Sequence, residues 1–569
     1  MPKPGRGVNA PCSPLREKLP AHSNRTMQRP VRAMRHLLFA TAVLTAPLHA
    51  QAQDRATTAE IIDEGLSHSQ VMQTAQHLTD VIGPRLTNSP QMRQAEAWTQ
   101  EQFARWGLKN VRKEGFDFGR GWWIERSSVR MVSPRPIQLT AIPIAWTPPT
   151  QGALTAPIVV APMKRARDFA RYRGQLAGKI VLVSAPGTGS ESKRAPFQRY
   201  DDAELAKLDS YDFPSHDPAA DARELREAAF EQQRDAFLKA EGAVGYATIS
   251  YRDGKLVHGE GYMFERGKSP SLPGVEIAAE DYRRLARLAK TGAAPTLEII
   301  SDVRYDDSDP QAYNIFAEIP GTDPKAGYVM AGAHLDSWVA GDGASDNAAG
   351  SAVIMEAARI LAKLGVRPKR TIRFALWNGE EQALLGSLAW VEKNLATRGS
   401  PGDPPLTGEM RYFAWPKRWP INPQPGYNDL AAYFNVDNGS GRFRGIYAEN
   451  NPAAAEIFRE WMAPFTGMGM TTVASGRTDG TDHVFMQSVG APGFQFIQDP
   501  LDYSTRTHHS SADTFDHLKG EDLRQGATIL ASFLLNAANA EKALPRPPLP
   551  TRQAVSDPYA YPDPEGEDE

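Results

Sequence analysis

The sequence predicts an α/β protein whose main unit is a three-layer α/β/α mixed sheet, with a β-rich segment inserted into it. Two patterns carry this expectation. From residue 311 onward, apolar runs of strand length alternate with runs of helical period, as in a sheet covered by helices on both faces. Between about 125 and 300 the grammar changes to short β-rich runs around a polar stretch, which marks a unit of different construction. The length of 569 residues also exceeds one ordinary domain.

Taken in order, residues 1–53 read as a leader and signal peptide. Arg29, Arg32 and Arg35 precede an apolar run over 37–48, then Ala50-Gln51-Ala52, with cleavage expected after Ala52. The run is too short for a permanent anchor, which takes about 20 apolar residues, so the chain is expected to be exported, periplasmic or extracellular, with no membrane span. The true start is left open between Met1, Met27 and Met34. Residues 54–135 open a main unit with two packing helices, the first carrying Ile61, Ile62, Leu66, Val71, Ala75 and Leu78 on one face, the second over 92–106, separated by the turn Gly83-Pro84-Arg85. Residues 136–300 form the inserted unit, with β-rich runs at 137–144, 158–162, 179–183 and 244–249.

The main unit resumes over 301–543. Strands are expected at 328–334, 371–377 and 430–436, and helices at 347–364, 382–395, 453–465 and 521–540. Residues 544–569, rich in proline and acidic side chains, read as a disordered tail. The net charge of -3 and the lack of a dense basic block beyond the N-terminal region argue against a nucleic-acid partner. Cys12, the only cysteine, falls in the segment expected to be removed. The mature chain then has no disulfide and no thiolate ligand, so a metal would be held by His, Asp and Glu, a donor set suited to zinc or another divalent ion.

Ligands of open α/β sheets gather at the carboxyl ends of the strands, and polar residues stand at each predicted end. His334-Leu335-Asp336 follows the first strand, and Gly341-Asp342-Gly343-Ala344-Ser345-Asp346-Asn347 opens the next helix. Asn378-Gly379-Glu380-Glu381 follows the second strand and Asp437 the third, while His508-His509-Ser510-Ser511-Ala512-Asp513-Thr514 forms a late loop. Each has an ordinary explanation alone: Asp346 as a helix N-cap, the Glu pair as a solvated helix start, Asp437 as a turn residue, either histidine as a core or surface imidazole. Their joint placement at equivalent strand ends is what points to a site.

In this order HLDSW, GASDNAAG, NGEEQALLGS, NVDNG and HHSSADT resemble the M28 family of metallopeptidases, over roughly residues 60 to 540. The resemblance implies a secreted dizinc exopeptidase with the sheet of that family. His334 and Asp437 would hold one zinc, Glu381 and His509 the other, and Asp346 would bridge them. Glu380 would be general base and acid, and Asp336 would hydrogen-bond the imidazole of His334. His509 is preferred to His508 because the family histidine precedes the Asp-Thr pair by four residues. HLDSW and NVDNG look like the carboxypeptidase Q branch and SDNAAG like the aminopeptidases, so the end attacked is left open. Residues 178–183 and 240–245 resemble the protease-associated domain inserted in several exopeptidases. The stretch 481–493 resembles a loop near the substrate pocket, which leaves His483 open between a substrate neighbour and a structural histidine.

The chemistry suits these residue types independently of family. Two divalent ions bring +4; Asp346, Glu381 and Asp437 bring -3, and a bridging hydroxide makes the sum zero, which is easier to bury. Paired metals acidify water and polarise a carbonyl, and a carboxylate beside the ligands can carry protons to the leaving amine of a small peptide substrate. Two other readings are a one-metal glutaminyl cyclase-like enzyme and a non-catalytic binding protein of the same fold. The insert and the complete two-metal ligand set speak against the first, and the presence of every expected ligand speaks against the second.

Overall fold

The computed structural model describes residues 46–189, 195–210, 220–292 and 294–552. Cys12, the basic residues of the expected signal peptide, most of its apolar run, and residues 553–569 of the expected tail lie outside them. The chain divides into two units, Met1–Arg55 and Ala56–Glu569. The first is described only over the start of the helix Ala46–Ser67, which contains the expected cleavage point. Among the described residues no helix is long and apolar enough to cross a membrane.

The second unit is built on an eight-stranded mixed sheet: β1 (Lys109–Asp117), β2 (Gln311–Ile319), β3 (Tyr328–His334), β4 (Thr371–Trp377), β5 (Leu430–Asn435), β6 (Phe443–Tyr447), β7 (Thr472–Ala474) and β8 (Gly493–Gln498). Their spatial order is β1-β2-β4-β3-β5-β8-β6-β7. The four central strands, β4, β3, β5 and β8, are parallel, so their carboxyl ends open on one edge. Alternate residues fill the two faces, as the period of a strand requires. Val329, Ala331 and Ala333 of β3, with Ile372, Phe374 and Leu376 of β4, pack with helices Val71–Gln76, Pro90–Arg105, Ala349–Lys363 and Gly520–Asn539. Met330, Ala375, Trp377 and Tyr433 face helices Leu385–Asn394 and Val484–Ser488.

A second eight-stranded sheet lies between β1 and β2 in the chain, with its own core of Val129, Met131, Ile158, Leu182, Val275, Tyr282 and Ile299. It reaches beyond the expected span of 136–300, because Gly121–Ser133 pairs along its length with Thr296–Asp306. The charged and serine-rich solvent face of that first strand hides its alternation. The chain enters and leaves this sheet at neighbouring points: the amides of Phe118 and Gly119 both donate to the carbonyl of Pro310, at 3.0 Å.

Three local expectations are corrected. The helix expected from 347 begins at Ala349, because Asp346 (φ -133°, ψ 84°) and Asn347 (φ -135°, ψ 46°) are not helical; Asn347 Oδ1 caps the helix by accepting from the amide of Gly350 at 2.8 Å. A Cβ at Gly350 would stand 2.3 Å from the carbonyl of Val436, so only glycine allows that approach. The helix expected from 382 begins at Leu385, since Ala383 and Leu384 have positive φ. The tail expected from 544 is docked at its start: Leu544 is buried, its amide bonds to the carbonyl of Ala431, and the guanidinium of Arg546 donates to the carbonyls of Tyr427 and Leu430. Proline content masked these two anchors.

Candidate active site

The site opens on the edge where the parallel strands end. His334, the last residue of β3, is 1% exposed and packs its ring against the turn that follows, with Nδ1 3.0 Å from the carbonyl of Asp336. Its Nε2 points the other way, 3.2 Å from Asp346 Oδ1, 3.4 Å from Asp437 Oδ1 and 4.0 Å from Glu380 Oε2. The Asp336 carboxylate was expected to hold this imidazole. It stands 3.7 Å away, outside hydrogen-bonding distance, and instead accepts from the amides of Glu380 and Glu381 and from Thr87 Oγ1. Its contact with His334 therefore runs through its main chain, because its side chain fixes the turn after β4.

Asp346 is aimed by its neighbours. Asp513 accepts from the Ser345 amide at 2.7 Å, Ser345 Oγ at 2.6 Å and the Asp346 amide at 3.0 Å. Arg85, fully buried, donates from Nε to the carbonyl of Leu335 and from its terminal nitrogens to those of Leu78, Gly83, Asp342 and Gly343, all at 2.8 to 3.0 Å. One guanidinium thus ties the turn after β3 to the loop carrying Asp346. On the far side Asp437 accepts from Asn347 Nδ2 at 3.1 Å.

His509 closes the cluster, its Nε2 3.0 Å from Glu381 Oε2 and 3.5 Å from Asp346 Oδ2. His508 stacks on it at 3.7 Å between centroids, with Nε2 3.8 Å from Asp346 Oδ2. His509 is nearer to Asp346 than His508 is, and it alone of the two also reaches Glu381. All seven residues singled out in the sequence meet here, as two groups sharing Asp346: His334, Asp346 and Asp437, and Asp346, Glu381 and His509. Glu380 stands beside the first group and Asp336 behind it.

The electrostatics are those of a site short of positive charge. Burial, together with the neighbouring Asp437, Asp482 and Glu381, pushes the Glu380 carboxyl well above its ordinary range, and burial and Asp346 push Glu381 up to about 8. Although burial opposes charge on the imidazoles, Asp437 and Glu380 raise His334, and Glu381 and Glu260 raise His509. Asp346 is held low despite its burial, by the hydrogen bond from His334 and the charges of both loop histidines. Asp346 Oδ2 and Glu381 Oε1 are buried without a hydrogen-bond partner, and ligand atoms of His334, Asp346 and Asp437, or of Asp346, His508 and His509, lie within 4.8 Å of one another. Nitrogen and oxygen donors so arranged fit divalent ions.

A cavity of about 470 Å³ leads to the cluster. Beyond the cluster its walls include Tyr262, Glu409, Tyr412, Phe413, Asp479 and Tyr503. Tyr262 comes from the second sheet's segment and packs edge-on against Trp338, 5.4 Å between centroids.

Residues 314–534 match the model of peptidase family M28. The chain carries an M28 peptidase unit over these residues. It is therefore a peptidase, a hydrolase of peptide bonds. Relatives include carboxypeptidase Q of Mus musculus, 25% identical over 473 residues that make up 82% of this chain and 86% of that protein. Leupeptin-inactivating enzyme 1 of Streptomyces exfoliatus is 28% identical over 216 residues, 38% and 41% of the two chains. Among solved structures, a peptidase M28 precursor from Shewanella amazonensis matches with a TM-score of 0.60 at 22% identity, covering 88% of this chain and all of that one. A zinc aminopeptidase from Bacillus subtilis matches at 0.52 and 18%, covering 84% and 97%. These two likenesses concern the M28 fold.

His483, left open by the sequence, is structural: it is fully buried, with Nε2 2.9 Å from Thr478 Oγ1 and 3.4 Å from Glu449 Oε1, and its neighbours Gly480 and Thr481 line the cavity instead. Sequence reasoning missed Arg85 as a clamp, Asp513 as the brace of Asp346, and Glu260 beside His509. Only the first two carry a signal, the turn Gly83-Pro84-Arg85 and the motif HHSSADT.

Proposed function

We propose that this M28 peptidase is an exported two-metal exopeptidase, loaded with two Zn2+, that removes residues from the amino end of small peptides. His334 and Asp437 would hold one ion, Glu381 and His509 the other, with Asp346 between them. When bound, the ions polarise the scissile carbonyl and make water acidic enough to attack at neutral pH. Glu380, beside the ligands, takes the water proton and delivers it to the departing amine. Asp336 keeps Glu380 and Glu381 in place by accepting from both their amides. Export rests on the basic residues and apolar run before Ala52. The insert, whose runs at 178–183 and 240–245 resemble a protease-associated domain, contributes Tyr262 to the cavity and so limits substrate length.

The observation that carries the direction is the charge of the cavity wall. Among the described residues lining it there is no lysine or arginine, while Glu409 and Asp479 add two carboxylates beyond the cluster. A free α-carboxylate calls for a cationic or bidentate partner, whereas a free α-ammonium matches these walls. The test is mass spectrometry of the products when zinc-loaded protein from Asp54 onward meets an unblocked tripeptide of three different residues. Release of the first residue is expected; release of the last would place the activity at the carboxyl end, and an intact tripeptide would restrict it to dipeptides or remove it.

A further inference from the structure

The inserted segment reaches the cluster at one point, and it does so on both sides of His509. Arg252 donates from Nη1 to the carbonyl of His508 at 2.7 Å. The amide of Ser511 donates to the carbonyl of Val257 at 2.8 Å, and the amide of Val257 donates to Ser511 Oγ at 3.3 Å. Between these contacts Glu260 Oε1 lies 3.0 Å from His509 Nδ1, the ring nitrogen facing away from Glu381 and Asp346. Glu260 is itself oriented, since Tyr251 Oη donates to the same oxygen at 3.1 Å. Its side chain and that of His509 are 22% and 20% exposed, so solvent screens the contact only in part.

From this arrangement we infer that Glu260 is a positioning residue supplied by the insert: it fixes the ring orientation and tautomer of His509, and so tunes one of the two metal half-sites. For Nε2 to offer its lone pair to an ion, the proton must sit on Nδ1, where it has Glu260 Oε1 as acceptor. A carboxylate behind a ligating imidazole locks that tautomer and raises the basicity of the ligand, an effect worth about 10- to 100-fold in metal affinity. His334 has only a main-chain carbonyl in the same role. The half-sites are thus built differently, one wholly from the peptidase sheet and one leaning on the insert. The inference rests on the two-metal reading above.

The test compares wild type, Glu260→Leu and Glu260→Gln as full chains. Zinc per chain is measured by mass spectrometry of the metal, and each zinc affinity by competition with a chromophoric chelator. The thermal midpoint of the metal-free proteins serves as the folding control. Leu removes the acceptor at similar volume, while Gln keeps a neutral acceptor. The expected result is one zinc weakened by about 10- to 100-fold in Glu260→Leu and by less in Glu260→Gln, with the other zinc unchanged. If Leu lowers the metal-free midpoint, Gln alone decides, and a fall of less than about threefold overturns the inference. Two unchanged affinities, or two equal losses, overturn it while leaving the two-metal reading intact. A wild type that binds fewer than two zinc ions overturns that reading and takes this one with it.

Discussion

Glu96 offers a stability test whose sign follows from its surroundings. It lies in the helix Pro90–Arg105, 2% exposed, and accepts from Arg93 Nη1 at 3.0 Å and from Asn378 Nδ2 at 3.2 Å. Burial pushes its carboxyl from 4.5 up to about 7, although the Arg93 guanidinium pulls the other way. Between those two values the native chain holds a proton that the unfolded chain has released. Stability from this group is therefore complete below about pH 4.5, falls as pH rises, and is lost above about 7. The interval amounts to about 3 kcal/mol at about 1.4 kcal/mol per tenfold. Glu96→Gln keeps the shape and an acceptor for Asn378 but cannot ionise. The pull of the Arg93 guanidinium on the ionised carboxyl is already contained in that value of about 7. The variant should lie within about 1 kcal/mol of wild type at pH 5, where the native carboxyl is protonated, and exceed it by about 3 kcal/mol at pH 8. Urea unfolding of both metal-free proteins across that range measures the difference, in which every other titrating group cancels. A difference that does not change between pH 5 and pH 8 refutes the reasoning.

Glu380→Gln should lower kcat by about 100- to 10,000-fold while zinc per chain stays at the wild-type value; full activity removes Glu380 from its proposed role. Arg85→Met fills the same space but removes the guanidinium shared by five carbonyls, those of Leu335, Leu78 and Gly343 buried, and should cost about 3 to 5 kcal/mol in urea unfolding, with a loss below about 1 kcal/mol counting against the clamp. Stripping the protein with a chelator should lower its thermal midpoint, and added zinc should restore it, since an ion held only by the native chain contributes about 4 kcal/mol at 1,000 times its dissociation constant. A midpoint indifferent to zinc speaks against a metal in the cluster.

Much of the sheet was legible because buried parallel strands are written as continuous apolar runs. Residues 328–333 and 430–434 have no polar alternation to confuse them with surface strands, 371–377 alternates only at Thr371 and Arg373 before its apolar end, and the polar residues that follow each run are the ones that converge. Which residues meet was readable; which atoms touch was not. Asp336 sits two residues past His334, yet its carboxylate turns toward the amides after β4, a choice made by backbone geometry that spacing does not encode. The helix starts at Ala349 and Leu385 were misjudged for a related reason. Periodicity reports a helical face, while residues bent out of helical angles to reach the cluster carry the same letters as residues inside the helix. Contacts across long separations left least trace: Glu260 and His509 are 249 residues apart, and nothing near either one names the other.

The position of the second sheet between β1 and β2 has a consequence for how the chain assembles. β1 and β2 are antiparallel neighbours, pairing Asp117 with Gln311, and so form a hairpin whose turn is an entire folded unit. Closing so long a loop from a random chain costs entropy before any strand contact repays it, and long-range pairing of this kind slows folding. A finished insert presents its two ends side by side and shortens that search to the span of a turn. If the insert forms first, the edge of the peptidase sheet can pair afterward without that cost. A lesion in the insert would then delay the strand that borders the catalytic sheet, through kinetics, without touching a single residue of the active site.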